Sequence, residues 1–271
     1  MDRIAAAVKL ADGTGWKVDD TTFVHAYGSG STPECFLLRK PASLVELYLE
    51  LAARFQQANI VELGIAAGGS TALISLVARP RKLISCELSP EPVGALASFI
   101  EAHDLLSIVK PYYGVDQADA ARLASIVDSE LDGEPLDLVI DDASHLHDET
   151  RSSFETLYPR LRPGGLYIIE DWAADFRYAA RMATTLSDAS PSNQASRQQL
   201  MQAIIEHPGG QTPLPRLGVE LLQVCGTSSD VISELTINKH WIVVKRGVAS
   251  LDAGTFRMRD HFTDHWGWLA D

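Results

Sequence analysis

From residue 59 onward the chain alternates short apolar runs with longer stretches whose apolar residues recur every three or four positions. The runs 59–63, 82–87, 107–113, 136–140 and 166–169 predict five strands. The stretches 70–78, 92–103, 117–129 and 147–161 predict the helices between and after them. An earlier helix starts at Pro41, with Leu44, Leu47, Tyr48, Leu51 and Phe55 at helical spacing. Strands of this length alternating with such helices are βαβ units, and they build a parallel sheet covered on both faces. The ending differs, because strands at 231–237 and 241–245 are separated only by Asn238-Lys239-His240 and therefore pair antiparallel. The expected fold is α/β: a doubly wound, Rossmann-like, seven-stranded sheet, mostly parallel, closed by a C-terminal antiparallel hairpin. Around the main domain, 41–246, lie an appendage or lid at 1–40 and a tail at 247–271. The appendage is read as one short helix and a flexible loop through Gly28–Pro33, a turn-rich run. An insertion at about 172–230 carries a polar loop, 187–196, and a helix near 197–206.

Charge narrows the function. The 271 residues include 36 acidic and 23 basic side chains, a net charge of −13 spread along the chain. Such a surface repels phosphate backbones and anionic lipid heads, which argues against nucleic-acid and membrane-surface roles. It is compatible with neutral sugars, cationic ligands and divalent metals. No apolar run approaches the length of a membrane span. Cys35, Cys86 and Cys225 show no CxxC spacing, so neither a disulfide framework nor a zinc ribbon is expected. The opening Met1-Asp2-Arg3 leads into an Ala/Val stretch broken by Lys9 and Asp12, which is not a signal peptide, and a cytoplasmic location is expected.

The first predicted strand runs into Glu62-Leu63-Gly64-Ile65-Ala66-Ala67-Gly68-Gly69-Ser70-Thr71. Gly64 and Gly68 allow a sharp turn and close approach of a ligand, and Ser70 and Thr71 are placed to cap the next helix. Glu87 ends the second strand, nineteen residues after Gly68, where α/β cofactor sites place a carboxylate for ribose hydroxyls. Ala66 breaks the dinucleotide fingerprint, which disfavours a nicotinamide reductase. With its acid inside the strand, the pattern resembles that of class I S-adenosylmethionine-dependent methyltransferases, over roughly residues 41–246. The resemblance implies that Glu62, Gly64, Gly68 and Ser70 surround the methionine moiety and that Glu87 takes the ribose. It places Asp116 and Gln117, after the third strand, beside the adenine, with Asp141 also on the cofactor side.

Strand four ends in Asp141-Asp142-Ala143-Ser144-His145 and strand five in Glu170-Asp171-Trp172. Carboxyl ends of parallel strands open on one edge, so these acids can converge, and they would repel one another without a cation. Oxygen ligands suit Mg²⁺ or another hard divalent ion. Neighbours on a strand face opposite sides, so one of Asp141 and Asp142 points away. Asp148 and Glu149 suit the first turn of a helix, and His147 reads as a packing or surface residue. Ile-Asp-Asp-Ala-Ser-His followed by Arg-Pro-Gly-Gly-Leu-Tyr-Ile-Ile-Glu-Asp is similar to the metal-dependent sugar O-methyltransferases of macrolide deoxysugars and to rhamnosyl and mannosyl relatives in actinobacteria. Some relatives carry the label cephalosporin hydroxylase, but a two-histidine oxygenase triad is not evident. The resemblance implies Asp142, Glu170 and Asp171 as metal ligands, His145 as catalytic base, and Asp142 as part of the catalytic set.

The implied reaction is methyl transfer from S-adenosylmethionine to a hydroxyl of a small-molecule or oligosaccharide acceptor, by a homodimer or larger assembly. A catechol-type O-methyltransferase and a non-catalytic S-adenosylmethionine-binding module are the alternatives. The aromatic tail, with Phe256, Phe262, Trp266 and Trp268, suits either acceptor stacking or dimer packing, and His25 and Tyr27 suit a lid.

Overall fold

The structure is a computed structural model. It describes residues 7–26, 30–174 and 212–264, with isolated positions 176, 177, 184, 185, 187, 194, 198 and 267. Four short strands replace the helix expected in the appendage: β1 (Val8–Lys9), β2 (Gly15–Val18), β3 (Thr21–His25) and β4 (Cys35–Leu38). They form a separate sheet in that order, antiparallel except for the parallel β3–β4 pair. Trp16, Val18, Phe23, Phe36 and Leu38 are buried from this sheet into the main core. Phe36 packs between Phe23, stacked at 6.1 Å, and Phe99, edge-on at 5.4 Å.

The main sheet follows the expected plan. After α1 (Ala42–Arg54) come β5 (Asn59–Leu63), α2 (Gly69–Ala78), β6 (Lys82–Glu87), α3 (Gly94–Ala102), β7 (Val109–Tyr113), α4 (Ala120–Leu131), β8 (Leu136–Asp141), α5 (His147–Leu157) and β9 (Leu161–Glu170). Helix α6 (Pro215–Thr227) then precedes β10 (Ile232–Ile237) and β11 (Trp241–Arg246). The strand order is β10-β11-β9-β8-β5-β6-β7. The five strands from β5 to β9 run parallel, and β10 and β11 are antiparallel, with Trp241 opposite Glu170. All residues of β5 and β8 are buried, as a strand covered on both faces requires.

Alternation divides the strand side chains between two cores. Ile60, Leu138, Ile140 and Ile168 face α1, α2, α3 and the N-terminal sheet. Val61, Leu63, Val139 and Tyr167 face α4, α5 and α6. Phe256 and Met258 of the tail are buried in the second core, and Phe256 lies against Tyr158, so this part of the tail packs on its own chain. Helix α6 is docked by Glu220, buried against His147 Nε2 at 3.3 Å and Arg151 at 3.4 Å. His147 is thus a buried packing residue. Burial opposes its charging, but its bonds to Glu220 and Asp148 prevail and raise its pKa above the usual imidazole value.

Apart from the isolated positions, the expected polar loop 187–196 and helix near 197–206 lie outside the described residues, as do Tyr27, Trp266 and Trp268. Cys86 is buried, and Cys35 and Cys225 are partly so, all as free thiols. Among the described residues no helix is long and apolar enough to cross a membrane.

Removing the Phe36 ring should cost about 3–5 kcal/mol of unfolding free energy, because its cavity is walled by aromatic rings that cannot collapse together. Chemical denaturation of Phe36→Ala measures this, and a near-zero change would show that the N-terminal sheet is not part of the core.

Candidate active site

The carboxyl ends of β5, β6, β8 and β9 meet at one edge of the sheet. Gly64 leaves β5 at φ +95°, and a Cβ there would lie 2.2 Å from the Asp142 carbonyl oxygen, so glycine permits the two chain exits to pass. The following turn holds Ala66 at φ +47° and Gly68 at +82°, both in the left-handed region. Glu87 fastens this turn from the next strand. Its Oε2 accepts from the backbone N–H groups of Ile65 (3.0 Å) and Ala66 (2.9 Å), and its Oε1 accepts from Ser89 N–H at 3.1 Å.

Ser70 and Thr71 do not cap α2, correcting the expectation. Gly68 occupies the N-cap with no side-chain bond. Thr71 instead donates to Glu62 Oε2 at 2.6 Å, as does Ser85 at 3.1 Å, and Ser70 also bonds the Glu62 carboxylate. The reason is geometric: the residue preceding the helix is the left-handed glycine, so both hydroxyls fall inside the first turn, facing the buried acid. Glu62 is fully enclosed and burial raises its pKa, while its Oε1 has no hydrogen-bond partner.

A cavity of about 370 Å³ opens here, with Gly64, Ala66, Glu87, Asp116, Gln117 and Asp142 among its walls. The sequence-derived residues Glu87, Asp116 and Gln117 are thereby brought together. Asp141 is not among the cavity walls, and neither is Glu62. Asp141 is the strand neighbour that points away: its carboxylate accepts from Ser153 Oγ (2.7 Å), Tyr167 OH (2.8 Å) and Gln117 Nε2 (3.2 Å). Burial lifts it to about 6 despite these bonds. Asp141 therefore orients Gln117, whose Oε1 accepts the Ser144 N–H at 2.7 Å and so fixes the loop leading to His145.

Asp142, His145 and Asp171 each offer a ligand atom, and the three atoms lie within 4.8 Å of one another. His145 Nε2 is 3.8 Å from Asp142 Oδ1. His145 (φ +57°) and Asp171 (φ +49°) both sit in the left-handed region, a strain that the surrounding structure must hold. One imidazole nitrogen and two carboxylate oxygens at this spacing are a donor set that a divalent cation can accept.

Glu170 is outside that group, unlike the expected ligand triplet. Its Oε2 is 2.9 Å from Lys40 Nζ, and its Oε1 accepts from Tyr48 OH. Lys40 also reaches Asp142 Oδ2 at 2.5 Å. Burial, reinforced by Asp142, pushes the Glu170 carboxyl above the ordinary range, with Lys40 opposing. Sequence reasoning missed Lys40, and took Tyr48 only as part of an apolar face. The lysine stands next to the helix-opening Pro41, and nothing in its neighbours signals a buried ammonium. A second cavity, of about 350 Å³, is lined by Arg39, Lys40, Asp142, Asp171, Lys239 and His240, among others. Asp142 is a wall of both cavities. His25, the other expected lid residue, lies on β3.

The family model described as methyltransferase domain matches residues 61–172, which contain the glycine turn and every acid discussed above. Residues 61–172 are similar to a methyltransferase domain. Over 56 residues (21% of this chain) the sequence is 48% identical to the 8-demethyl-8-alpha-L-rhamnosyl tetracenomycin-C 2'-O-methyltransferase of Streptomyces olivaceus. Over 78 residues (23% of this chain) it is 41% identical to the mycinamicin VI 2''-O-methyltransferase of Micromonospora griseorubida. These stretches span only 14% and 20% of the two relatives' own lengths. Among solved structures, the MycE methyltransferase of the mycinamycin pathway, in complex with Mg and SAH, is similar at 23% identity with a TM-score of 0.47. That likeness covers 83% of this chain and 52% of that one.

The first turn of the matched segment yields a direct test. Gly64→Ala forces a Cβ against the Asp142 carbonyl and a side chain into a left-handed conformation, and should destabilise the protein by about 2–4 kcal/mol. Thermal or chemical unfolding would reveal it, and a wild-type transition would contradict the close approach.

Proposed function

We propose that this chain is an O-methyltransferase that moves the methyl group of S-adenosylmethionine to a hydroxyl of a sugar unit in a glycoside or oligosaccharide, assisted by Mg²⁺ or another hard divalent ion. The observation that carries this reading is the position of Asp142, the shared wall of the turn-lined cavity and of the charged cavity beside it, lined by acids and bases together. A donor and an acceptor seated in the two would meet at that residue. The rhamnosyl and mycinamicin O-methyltransferases among the relatives supply the acceptor class.

Within this reading, Glu62 is assigned to the methionine ammonium, because its buried Oε1 has no partner in the chain. Glu87 retains acceptor capacity beyond its three backbone bonds and is assigned to the ribose. Asp116 and Gln117 flank the base side of the same cavity. Asp142, Glu170 and Asp171, which line one cavity, are the acids that would hold the ion, whose charge would favour the ionised form of an acceptor hydroxyl, and the His145 ring beside them stays free of the ion. His145 accepts the hydroxyl proton at a ring nitrogen while the oxygen forms its bond to the methyl carbon and the sulfur–carbon bond breaks. Positioned proton transfer of this kind is typically worth about 10²–10⁴-fold.

Turnover should vanish in EDTA and return with Mg²⁺. His145→Ala should lower kcat by about 10²–10⁴-fold while calorimetric affinity for S-adenosylhomocysteine stays close to wild type. An unchanged kcat would remove the base assignment. Labelled S-adenosylmethionine with a panel of rhamnosides, mannosides, deoxysugar glycosides and a catechol tests the acceptor class. Methylation of the catechol alone would overturn the sugar reading.

A further inference from the structure

The charged cavity beside Asp142 departs from the balance of the chain around it. Over the whole sequence acids outnumber bases by 36 to 23. The walls of this cavity instead carry four cations, Arg39, Lys40, Arg177 and Lys239, against three carboxylates. Lys40 is buried and committed to Asp142 and Glu170, whereas the other three cations are exposed. Arg177 joins two elements: its Nη2 donates to Asp171 Oδ1 at 2.6 Å, and its Nη1 reaches the Lys239 carbonyl at 3.5 Å. The guanidinium therefore lies at the hairpin turn that presents Lys239. The Lys239 ammonium makes no ion pair among the described residues.

Resting on the methyl-transfer reading above, we propose that the acceptor sugar carries an anionic group, a carboxylate or a phosphate, and that Arg177 and Lys239 select the acceptor by holding it. The three acids are the only groups in the cavity walls that oppose an anion, and a divalent ion on them offsets their charge. Arg177 then shares Asp171 with that ion, and Lys239 has no acid to answer at all. A neutral sugar leaves both cations to water and gains little from them. An anion forms charge-assisted hydrogen bonds to a guanidinium fork and an ammonium together. The net charge of −13 sharpens the selection, because the acidic remainder of the surface competes poorly for such a ligand.

Methyl mannoside, methyl mannuronoside and the mannoside phosphorylated on its exocyclic oxygen share their ring hydroxyls and differ in charge. Each is offered to the full chain with labelled S-adenosylmethionine and Mg²⁺, and each is titrated calorimetrically with S-adenosylhomocysteine bound. At least one of the two anions should bind about tenfold more tightly than the neutral sugar, and the two arms tell carboxylate from phosphate. High salt should shrink that ratio, because the two cations are exposed. Lys239→Gln should reduce it about fivefold through KM for the anion, with kcat little changed, and Lys239→Arg should restore it. Equal handling of neutral and anionic sugars would overturn the anion seat and leave the methyl-transfer reading standing. So would a Lys239→Gln loss of kcat of the same size on both, which would place the charge on the reacting hydroxyl. Three sugars neither bound nor methylated would remove the sugar reading and this inference with it.

Discussion

Everything at the working edge of this molecule is constrained by the repulsion among Asp142, Glu170 and Asp171. A parallel sheet delivers the ends of neighbouring strands to one edge, so acids placed there crowd together whatever their purpose. The chain answers with two cations, the buried Lys40 against Asp142 and Glu170, and the exposed Arg177 against Asp171 at 2.6 Å. The N-terminal sheet matters for this reason. It is the element that carries Lys40 to the edge, and its aromatic residues tie that delivery to the main core. An edge with three carboxylates thus becomes compatible with a folded domain before any ligand arrives.

The parallel strands were legible because burial on both faces leaves a simple trace, an apolar run such as Ile60–Leu63 relieved only by the buried Glu62. Helices between them were equally plain, and their ends moved by only a few residues. The first forty residues left no such trace. Their strands are two to five residues long, too short for alternation to show, so Gly, Ser and Thr around them read as loop. Glutamate 62 and Glu87 were found by spacing. Which of Asp141 and Asp142 faces the cavity was not, because alternation separates neighbours without naming the inward one. Lys40 lay beyond sequence reasoning altogether: its partners are more than a hundred positions away in Asp142 and Glu170.

The second core shows how a substantial insertion is accommodated. The described chain resumes at residue 212 and soon enters α6, whose Glu220 is buried among His147, Arg151 and Arg216. Partners from both helices compensate a carboxylate that would otherwise be costly to bury. Since His147 lies two residues from His145, the helix that closes the insertion is bonded to the segment presenting the proposed base. His145 and Asp171 both hold left-handed backbone at this same edge.

Glu87 has a consequence beyond its own cavity. By accepting the amides of Ile65 and Ala66, it holds the shape of the glycine turn. A ligand entering that turn meets a surface already ordered, and little of its interaction energy goes into freezing backbone. The same carboxylate is therefore both a wall of the pocket and the reason the pocket has a fixed outline. That outline is set from β6, whereas the neighbouring cavity is bounded by Arg39, Lys40 and the hairpin residues Lys239 and His240.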